Sequence, residues 1–246
     1  MLSFIVPAHN EEHELPASLR SIRAAAEASG EPFEIIVAND ASTDATAEVA
    51  RAGGAVVVPV NYRQIAAVRN AGARAARGDV LFFVDADTVI SPEHVTSALD
   101  ALAAGCAGGG GRMVPEGYVP LWGHLFVQIF SFFYFTVAKL GAGAFLFTTR
   151  RGFEAIGGFD EQFFAGEEVF FTLALKKRGR FKLLQRPIVT SGRKLRMYSG
   201  RHFLRLSLAM IAGGKGMARS RDKLNLWYDA KRETKAPPPV SGKAVG

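Results

Sequence analysis

Cysteine is nearly missing from this chain. Cys106 is the single one among 246 residues, which excludes an internal disulfide framework and any cysteine-rich zinc or iron–sulfur site, and fits a reducing compartment. No apolar run reaches the roughly 20 residues that a membrane-crossing helix needs. The first residues have no basic start and no long apolar region, and run straight into His9-Asn10-Glu11-Glu12, so a secretory signal is not expected and cytoplasmic residence is. No repeat of fixed period is visible. With 48% hydrophobic and 22% charged residues, the composition excludes disordered, collagen-like and polytopic membrane chains. At about 1.6 times the roughly 150 residues typical of a domain, the length suits one large domain or two fused subdomains.

The net charge of +7 is unevenly distributed. Residues 1–192 hold 17 Lys and Arg against 20 Asp and Glu, a balance of −3, whereas residues 193–246 hold 13 against 3, a balance of +10. Basicity is therefore a property of the C-terminal end. It points to an anionic partner there, a membrane surface or nucleic acid, or to a solvated basic face. Nucleic acid is the weakest of these, because aromatic residues are sparse in that stretch and no recognised module appears. Residues 201–212 read as an amphipathic helix with Arg201, His202 and Arg205 on one side and Phe203, Leu204, Leu206, Leu208, Met210 and Ile211 on the other. Residues 236–246, with Pro237-Pro238-Pro239, read as a disordered tail.

Short apolar runs alternate with helical segments through the first hundred residues, the pattern of an α/β domain with a mainly parallel sheet flanked by helices. Strands are expected at Leu2–Ala8, Phe33–Ala38, Ala55–Val60 and Val80–Asp85, whose unalternating apolar content suits burial on both faces. Helices are expected at Leu15–Ser29, Asp44–Ala52, Gln64–Arg77 and Pro92–Ala104, with Pro16 and Pro92 in tolerated first-turn positions. The composition changes after the Gly108–Gly111 run, which divides residues 1–110 from 111–192; a basic segment, 193–235, and the tail, 236–246, follow. Leu125–Ala138 is almost wholly apolar and rich in Phe, too short to span a bilayer, and reads as a helix either packed inside or laid against lipid. A strand at Ala144–Thr149, a helix opening at Glu167 and a strand-like Phe181–Thr190 follow.

The strongest chemical signal is Phe82-Phe83-Val84-Asp85-Ala86-Asp87-Thr88, a buried strand ending in two carboxylates one residue apart. In an open α/β sheet ligands bind outside the carboxyl ends of strands. A spacing of two puts both side chains on one side of an extended segment, where they suit Mg²⁺ or Mn²⁺ bridging a diphosphate. The competing reading gives Asp87 a turn or capping role before Ser91-Pro92. Two other strand ends are polar: Pro7-Ala8-His9-Asn10-Glu11-Glu12 and Asn39-Asp40-Ala41-Ser42-Thr43-Asp44. One of Ser42, Thr43 and Asp44 is expected to cap the next helix, while Asp40 is free to accept from a base or ribose.

Ile5-Val6-Pro7-Ala8-His9-Asn10-Glu11-Glu12, Asn39-Asp40-Ala41-Ser42-Thr43-Asp44, Arg69-Asn70-Ala71-Gly72, Asp85-Ala86-Asp87, Gly157-Gly158-Phe159-Asp160-Glu161 and Gly166-Glu167-Glu168 occur in that order. Together they resemble the family 2 glycosyltransferases of GT-A fold, over residues 2 to about 190. The resemblance implies an inverting, metal-dependent transferase that uses a nucleoside-diphosphate sugar. Pro7, Glu11 and Asp40 would hold the nucleoside, and Arg69 and Asn70 would sit near the sugar diphosphate, unless Arg69 is a solvated helix residue. Asp85 would contact the ribose or a metal-bound water, Asp87 would ligate Mn²⁺ or Mg²⁺, and the acidic pair Glu167-Glu168 would supply the catalytic base. Glu168 aligns with the family's usual Asp and is one methylene longer, which leaves both acids as candidates. Thr190 to Lys194 and His202 are further candidates for phosphate or metal contacts.

The family's processive synthases carry Gln-x-x-Arg-Trp after the base; this chain lacks it, so a single addition is expected. The expected reaction is transfer of one sugar to an acceptor hydroxyl, with a saccharide or lipid-linked acceptor at the cytoplasmic membrane face. Two alternatives are a sugar nucleotidyltransferase, against which stands an acidic rather than glycine-rich and basic stretch at residues 7–14, and a non-catalytic nucleotide-sugar-binding protein.

Overall fold

A computed structural model describes residues 1–192 together with 195, 197, 199–201, 205, 214, 216 and 218–220. Most of the expected amphipathic helix at 201–212, most of the basic segment and the whole of the tail lie outside the described residues.

Strands β1 (Leu2–Ala8), β2 (Phe33–Asp40), β3 (Val56–Val60) and β4 (Val80–Val84) alternate with helices α1 (Leu15–Ala28), α2 (Thr46–Ala52) and α3 (Ile65–Ala75), close to the bounds expected from the sequence. A short β5 (Thr88–Val89) and α4 (Pro92–Ala103) lead to β6 (Gly108–Gly110) and β7 (Met113–Glu116). Then come α5 (Leu121–Ser131) with a π-helical continuation over Phe132–Val137, β8 (Phe145–Thr149), α6 (Arg150–Ala155), α7 (Glu167–Lys176), β9 (Phe181–Leu183) and β10 (Ile188–Ser191).

Seven strands form one sheet in the order β3-β2-β1-β4-β8-β6-β9, in which β8 alone opposes the others. The α/β, mainly parallel architecture expected from the sequence is the one observed. A smaller sheet, β5-β10-β7, stands beside it. The large sheet is buried on both faces, as the unalternating strands require: Phe4, Val6 and Phe82 pack with α1 and α4 on one side, Ile5, Leu81 and Phe83 with α3 and α7 on the other. The stacked Phe4 and Phe82 rings, 4.8 Å apart, sit at its centre.

Three expectations change. The Gly108–Gly111 run, read as a break in composition, contains a strand. A Cβ at Gly109 would overlap the Phe147 ring and the Lys182 carbonyl, so glycine is what admits β6 between β8 and β9. The single strand expected at Phe181–Thr190 is two, because the chain leaves the large sheet at Leu184 and enters the small one at Ile188, with Pro187 lacking the amide a continuous ladder needs. The packed-inside reading of the Phe-rich helix does not hold: Gly123 and Phe135 are its only buried described residues, while Leu121, Leu125, Phe133 and Val137 are at least 60% exposed. No described helix is long and apolar enough to cross a membrane.

Candidate active site

The carboxyl ends of β1, β2, β4 and β6 and the start of β8 open on one edge of the large sheet, and the polar strand-end sequences meet there. The loops after β1 and β2 lock together. Asn10 Oδ1 accepts from the Thr43 amide at 2.7 Å, the Asn10 amide donates to Ser42 Oγ at 3.0 Å, and the Glu11 amide donates to Thr46 Oγ1 at 2.8 Å. Asp44 accepts from the Thr46 amide at 3.0 Å in a local turn ahead of α2, but the helix starts from Ala45 without a side-chain cap, so the capping expected of Ser42, Thr43 or Asp44 is not made; hydrogen bonds from Thr46 and the Glu12 amide hold the Asp44 carboxyl below the usual range against the opposing effect of burial. Asn10 and Ala41 adopt φ of 54° and 51°, strain of a kind that persists where surrounding contacts over-determine it.

Asp40 is buried at the end of β2 and accepts through Oδ1 from the Tyr62 and Arg63 amides at 2.7 and 3.1 Å, tying the chain after β3 to this rim. His9 Nδ1 lies 2.7 Å from the Asp40 carbonyl, and the Arg63 guanidinium reaches the same ring. Pro7 is buried within β1, and Glu11 is half-buried at the entry to α1. The pairing of His9 with Arg63 was not legible in the sequence, because nothing local ties two residues 54 positions apart.

Asp85 and Asp87 flank the turn between β4 and β5, both half-buried, with the Thr88 amide donating to the Asp85 carbonyl at 3.0 Å. Asp85 Oδ1 accepts from Arg69 Nη2 at 2.8 Å, and Asp87 Oδ1 lies 3.4 Å from the Thr190 hydroxyl. Among the described residues no group of three or more His, Cys, Asp or Glu converges. Two carboxylates fit Mg²⁺ or Mn²⁺ nonetheless, since such ions are commonly held by one or two carboxylates and complete their shell with substrate phosphate and water. Of the downstream candidates, Arg193, Lys194 and His202 lie outside the described residues.

Arg69 is the hub. Gly72 allows α3 to press onto the sheet, because a Cβ there would overlap Ile5, and Arg69, one turn earlier on the same face, is carried into the site. It is not a solvated helix residue: it is 2% exposed, donates to Asp85, to Glu167 Oε1 at 2.5 Å and to the Gly143 carbonyl at 3.1 Å, and lies 5.3 Å from the Phe159 ring centre. One guanidinium thus joins the strand-end carboxylate to the acidic helix start. The next residue, Asn70, accepts from the Phe159 amide and donates to the Phe159 carbonyl and to the Glu161 carboxylate, each at 2.9 Å. Its amide group is occupied by the Gly157–Glu161 loop, which it fixes against α3.

Gly166, at φ 72°, turns the chain into α7 and sets Glu167 and Glu168 in its first turn. The two acids differ in environment. Glu167 is buried against Arg69, whereas burial and the adjacent Glu167 charge push the Glu168 carboxyl up to about 8. The Tyr134 hydroxyl lies 3.2 Å from Glu168 Oε1. Gly143 permits this crowding: a Cβ there would meet Arg69 Nη2 at 3.2 Å and the Glu168 side chain at 3.6 Å. Tyr134 went unnoticed in the sequence because it is one aromatic in a Phe-rich run, with no local sign of its partner.

Residues 3–154 match the family model described as Glycosyl transferase family 2. The chain belongs to glycosyl transferase family 2. Similar proteins include the undecaprenyl-phosphate 4-deoxy-4-formamido-L-arabinose transferase of Pseudomonas paraeruginosa, 35% identical over 113 residues that cover 43% of this chain and 33% of that protein. The protein of the same name from Aeromonas hydrophila is 33% identical over 113 residues, covering 43% of this chain and 34% of its own length. The chain therefore spans about a third of the curated relatives it matches. Among solved structures, mannosyl-3-phosphoglycerate synthase from Rubrobacter xylanophilus superposes with a TM-score of 0.62 at 19% identity, covering 91% of this chain and 75% of that one. A mannosyltransferase from Pyrobaculum calidifontis, in complex with GDP-Man and Mn²⁺, gives a TM-score of 0.60 at 20% identity, covering 87% of this chain and 62% of that one. These likenesses establish the GT-A glycosyltransferase fold.

Proposed function

We propose that the protein is an inverting glycosyltransferase that moves one sugar from a nucleoside-diphosphate sugar to an acceptor hydroxyl. The observation that carries this reading is the Arg69 bridge, which sets a strand-end carboxylate pair suited to a diphosphate-bound cation beside an acidic helix start suited to base catalysis. Residues 1–110 would bind the donor, with Pro7, Glu11 and Asp40 forming the nucleoside end, and residues 111–192 would present the acceptor and the base. Arg69 and Asn70 act through the groups they hold. Arg69 orients Asp85 and Glu167, and Asn70 fixes the loop before α7.

A divalent cation held by Asp87 and Asp85 would neutralise charge developing on the leaving diphosphate. Glu168 is the better base. Glu167 is tied up by Arg69, while Glu168 has one oxygen toward Tyr134 and an elevated proton affinity that suits it to accept a proton near neutrality. The acceptor oxygen attacks the anomeric carbon as Glu168 takes its proton; the bond from that carbon to the diphosphate oxygen breaks on the opposite face, and its electron pair leaves with the diphosphate. One displacement inverts the configuration.

A lipid-linked acceptor at a membrane surface is supported by the exposed apolar row Leu121, Leu125, Ile129, Phe132, Phe133 and Val137, and by the basic C-terminal segment. The names of the curated relatives favour a second reading, in which the acceptor is a polyprenyl phosphate. Phosphate is already an anionic nucleophile and needs no base, whereas the paired acids at the start of α7 suit a neutral hydroxyl.

The test is thermal stabilisation by UDP-, GDP-, dTDP- and CDP-sugars with and without Mn²⁺ or Mg²⁺, on the wild type and on Asp87→Ala, followed by product analysis with the donor so found. A metal-dependent shift for one nucleotide class, lost in Asp87→Ala, is expected. Glu168→Gln should bind the same donor and lose about 100- to 10,000-fold in transfer to a hydroxyl. Retained transfer to a polyprenyl phosphate in Glu168→Gln would select the second reading. Release of pyrophosphate, or no shift with any nucleotide, would overturn both.

A further inference from the structure

The helix that carries the exposed apolar row also reaches the acidic pair. On its inner side Phe126, Phe130 and Tyr134 stack at every fourth position, with ring centres 6.0 and 4.8 Å apart. The ladder ends inside the π-helical turn, where the Ala138 amide reaches back five residues to the Phe133 carbonyl at 2.9 Å. Such widened turns are enriched at functional sites because they re-aim side chains out of helical phase. Here Phe132 and Phe133 remain exposed while the intervening turn brings Tyr134 inward against α7.

The Tyr134 hydroxyl has one proton and two acceptors in range, Glu168 Oε1 at 3.2 Å and the Gly141 carbonyl at 3.3 Å. We propose that Tyr134 is a positioning residue for the base: its hydroxyl donates to Oε1 of the ionised Glu168, leaving Oε2 to receive the acceptor proton, and turns to the Gly141 carbonyl when Glu168 is protonated. This rests on the reading of Glu168 as the base. The geometry is over-determined, since Tyr134 is clamped by Phe130 and Phe135 and the segment beyond it is held by the Ala142 amide on the Gly111 carbonyl at 3.1 Å. The charged and titratable groups facing Glu168 are Glu167 on its own helix, Arg69 from α3 and Tyr134 itself. The hydroxyl is the one neutral donor among them. A hydrogen bond to the ionised form holds a carboxyl's proton affinity down, so its removal must raise it.

The experiment is a pH titration of glutamate labelled with ¹³C at the side-chain carboxyl, followed by NMR, in wild type, Tyr134→Phe and Phe130→Leu, with the Glu168 resonance assigned by its loss in Glu168→Gln. Tyr134→Phe keeps the ring ladder and should move the Glu168 midpoint up by about one pH unit. Phe130→Leu loosens the ladder without touching the hydroxyl and should lower the melting temperature while leaving the midpoint in place. An unmoved midpoint in a folded Tyr134→Phe, or equal shifts in the two variants, would overturn the proposal. Mn²⁺-dependent hydrolysis of UDP-GlcNAc or GDP-mannose by Glu168→Gln separates the two readings. Undiminished turnover there removes the base assignment itself, whereas lost turnover with an unmoved midpoint in Tyr134→Phe removes only the role of Tyr134.

Discussion

Replacing Arg69 by Met removes the cation from a buried three-point contact and keeps most of the side-chain volume. Wild-type Arg69 is 2% exposed and faces Asp85 and Glu167 at 2.8 and 2.5 Å. Asp85 is partly open to solvent, so its loss of a partner is screened; Glu167 is buried and would hold an uncompensated charge. Breaking one side of a buried pair costs about 3–5 kcal/mol. For a chain of this size that corresponds to a fall of about 6–20 °C in melting temperature, at about 2–4 °C per kcal/mol. Arg69 also holds down the proton affinity of the neighbouring Glu168, whose carboxyl stands at about 8 with Arg69 in place, so its loss raises that affinity further and the deficit grows as pH rises through 8. Adding Glu167→Gln removes the stranded charge and should restore most of the loss. Calorimetry at pH 5.5 and 8 on the wild type, the single and the double variant measures all three effects. A single variant melting within about 2 °C of wild type, or a double variant no better than the single one, would refute the reasoning that Arg69 is the electrostatic keystone.

Two further outcomes are expected. Gly109→Ala places a methyl against the Phe147 ring and the Lys182 carbonyl, and because the second is backbone the sheet must part; a loss of about 1–3 kcal/mol in denaturant midpoints is expected, and an unchanged midpoint would mean that β6 does not lie between β8 and β9. Leu125→Glu with Phe133→Glu changes two side chains that are each 60% exposed, so stability should stay within about 0.5 kcal/mol per site while co-sedimentation with anionic vesicles falls; equal sedimentation would remove the lipid-facing assignment.

Much of the donor half was legible because its signals are local. An unalternating apolar strand needs cover on both faces, Pro16 and Pro92 mark first helical turns, and the helix and strand bounds up to residue 104 shift by no more than two residues. Beyond residue 104 the strand expected at Ala144–Thr149 and the helix opening at Glu167 are still found, but two local signals mislead. Three glycines usually end an element; here the absence of side chains is what lets a strand fit beneath Phe147. An apolar 14-residue run usually packs inside; here its outer face remains exposed among the described residues, because what covers a helix face is set by the elements packed against it and not by the run itself.

The sequence by itself determined the class of chemistry: the order of the strand-end motifs, the Asp85-Ala86-Asp87 spacing and the Glu167-Glu168 pair are properties of the chain, fixed by covalent spacing within single elements. Which acid is held and which can titrate was decided by the tertiary structure. Arg69 and Glu167 are 98 residues apart, and Tyr134 and Glu168 are 34 apart. Proton affinity depends on burial and on charges within a few ångströms, and those distances exist only once α3, α5 and α7 have converged on one edge of the sheet.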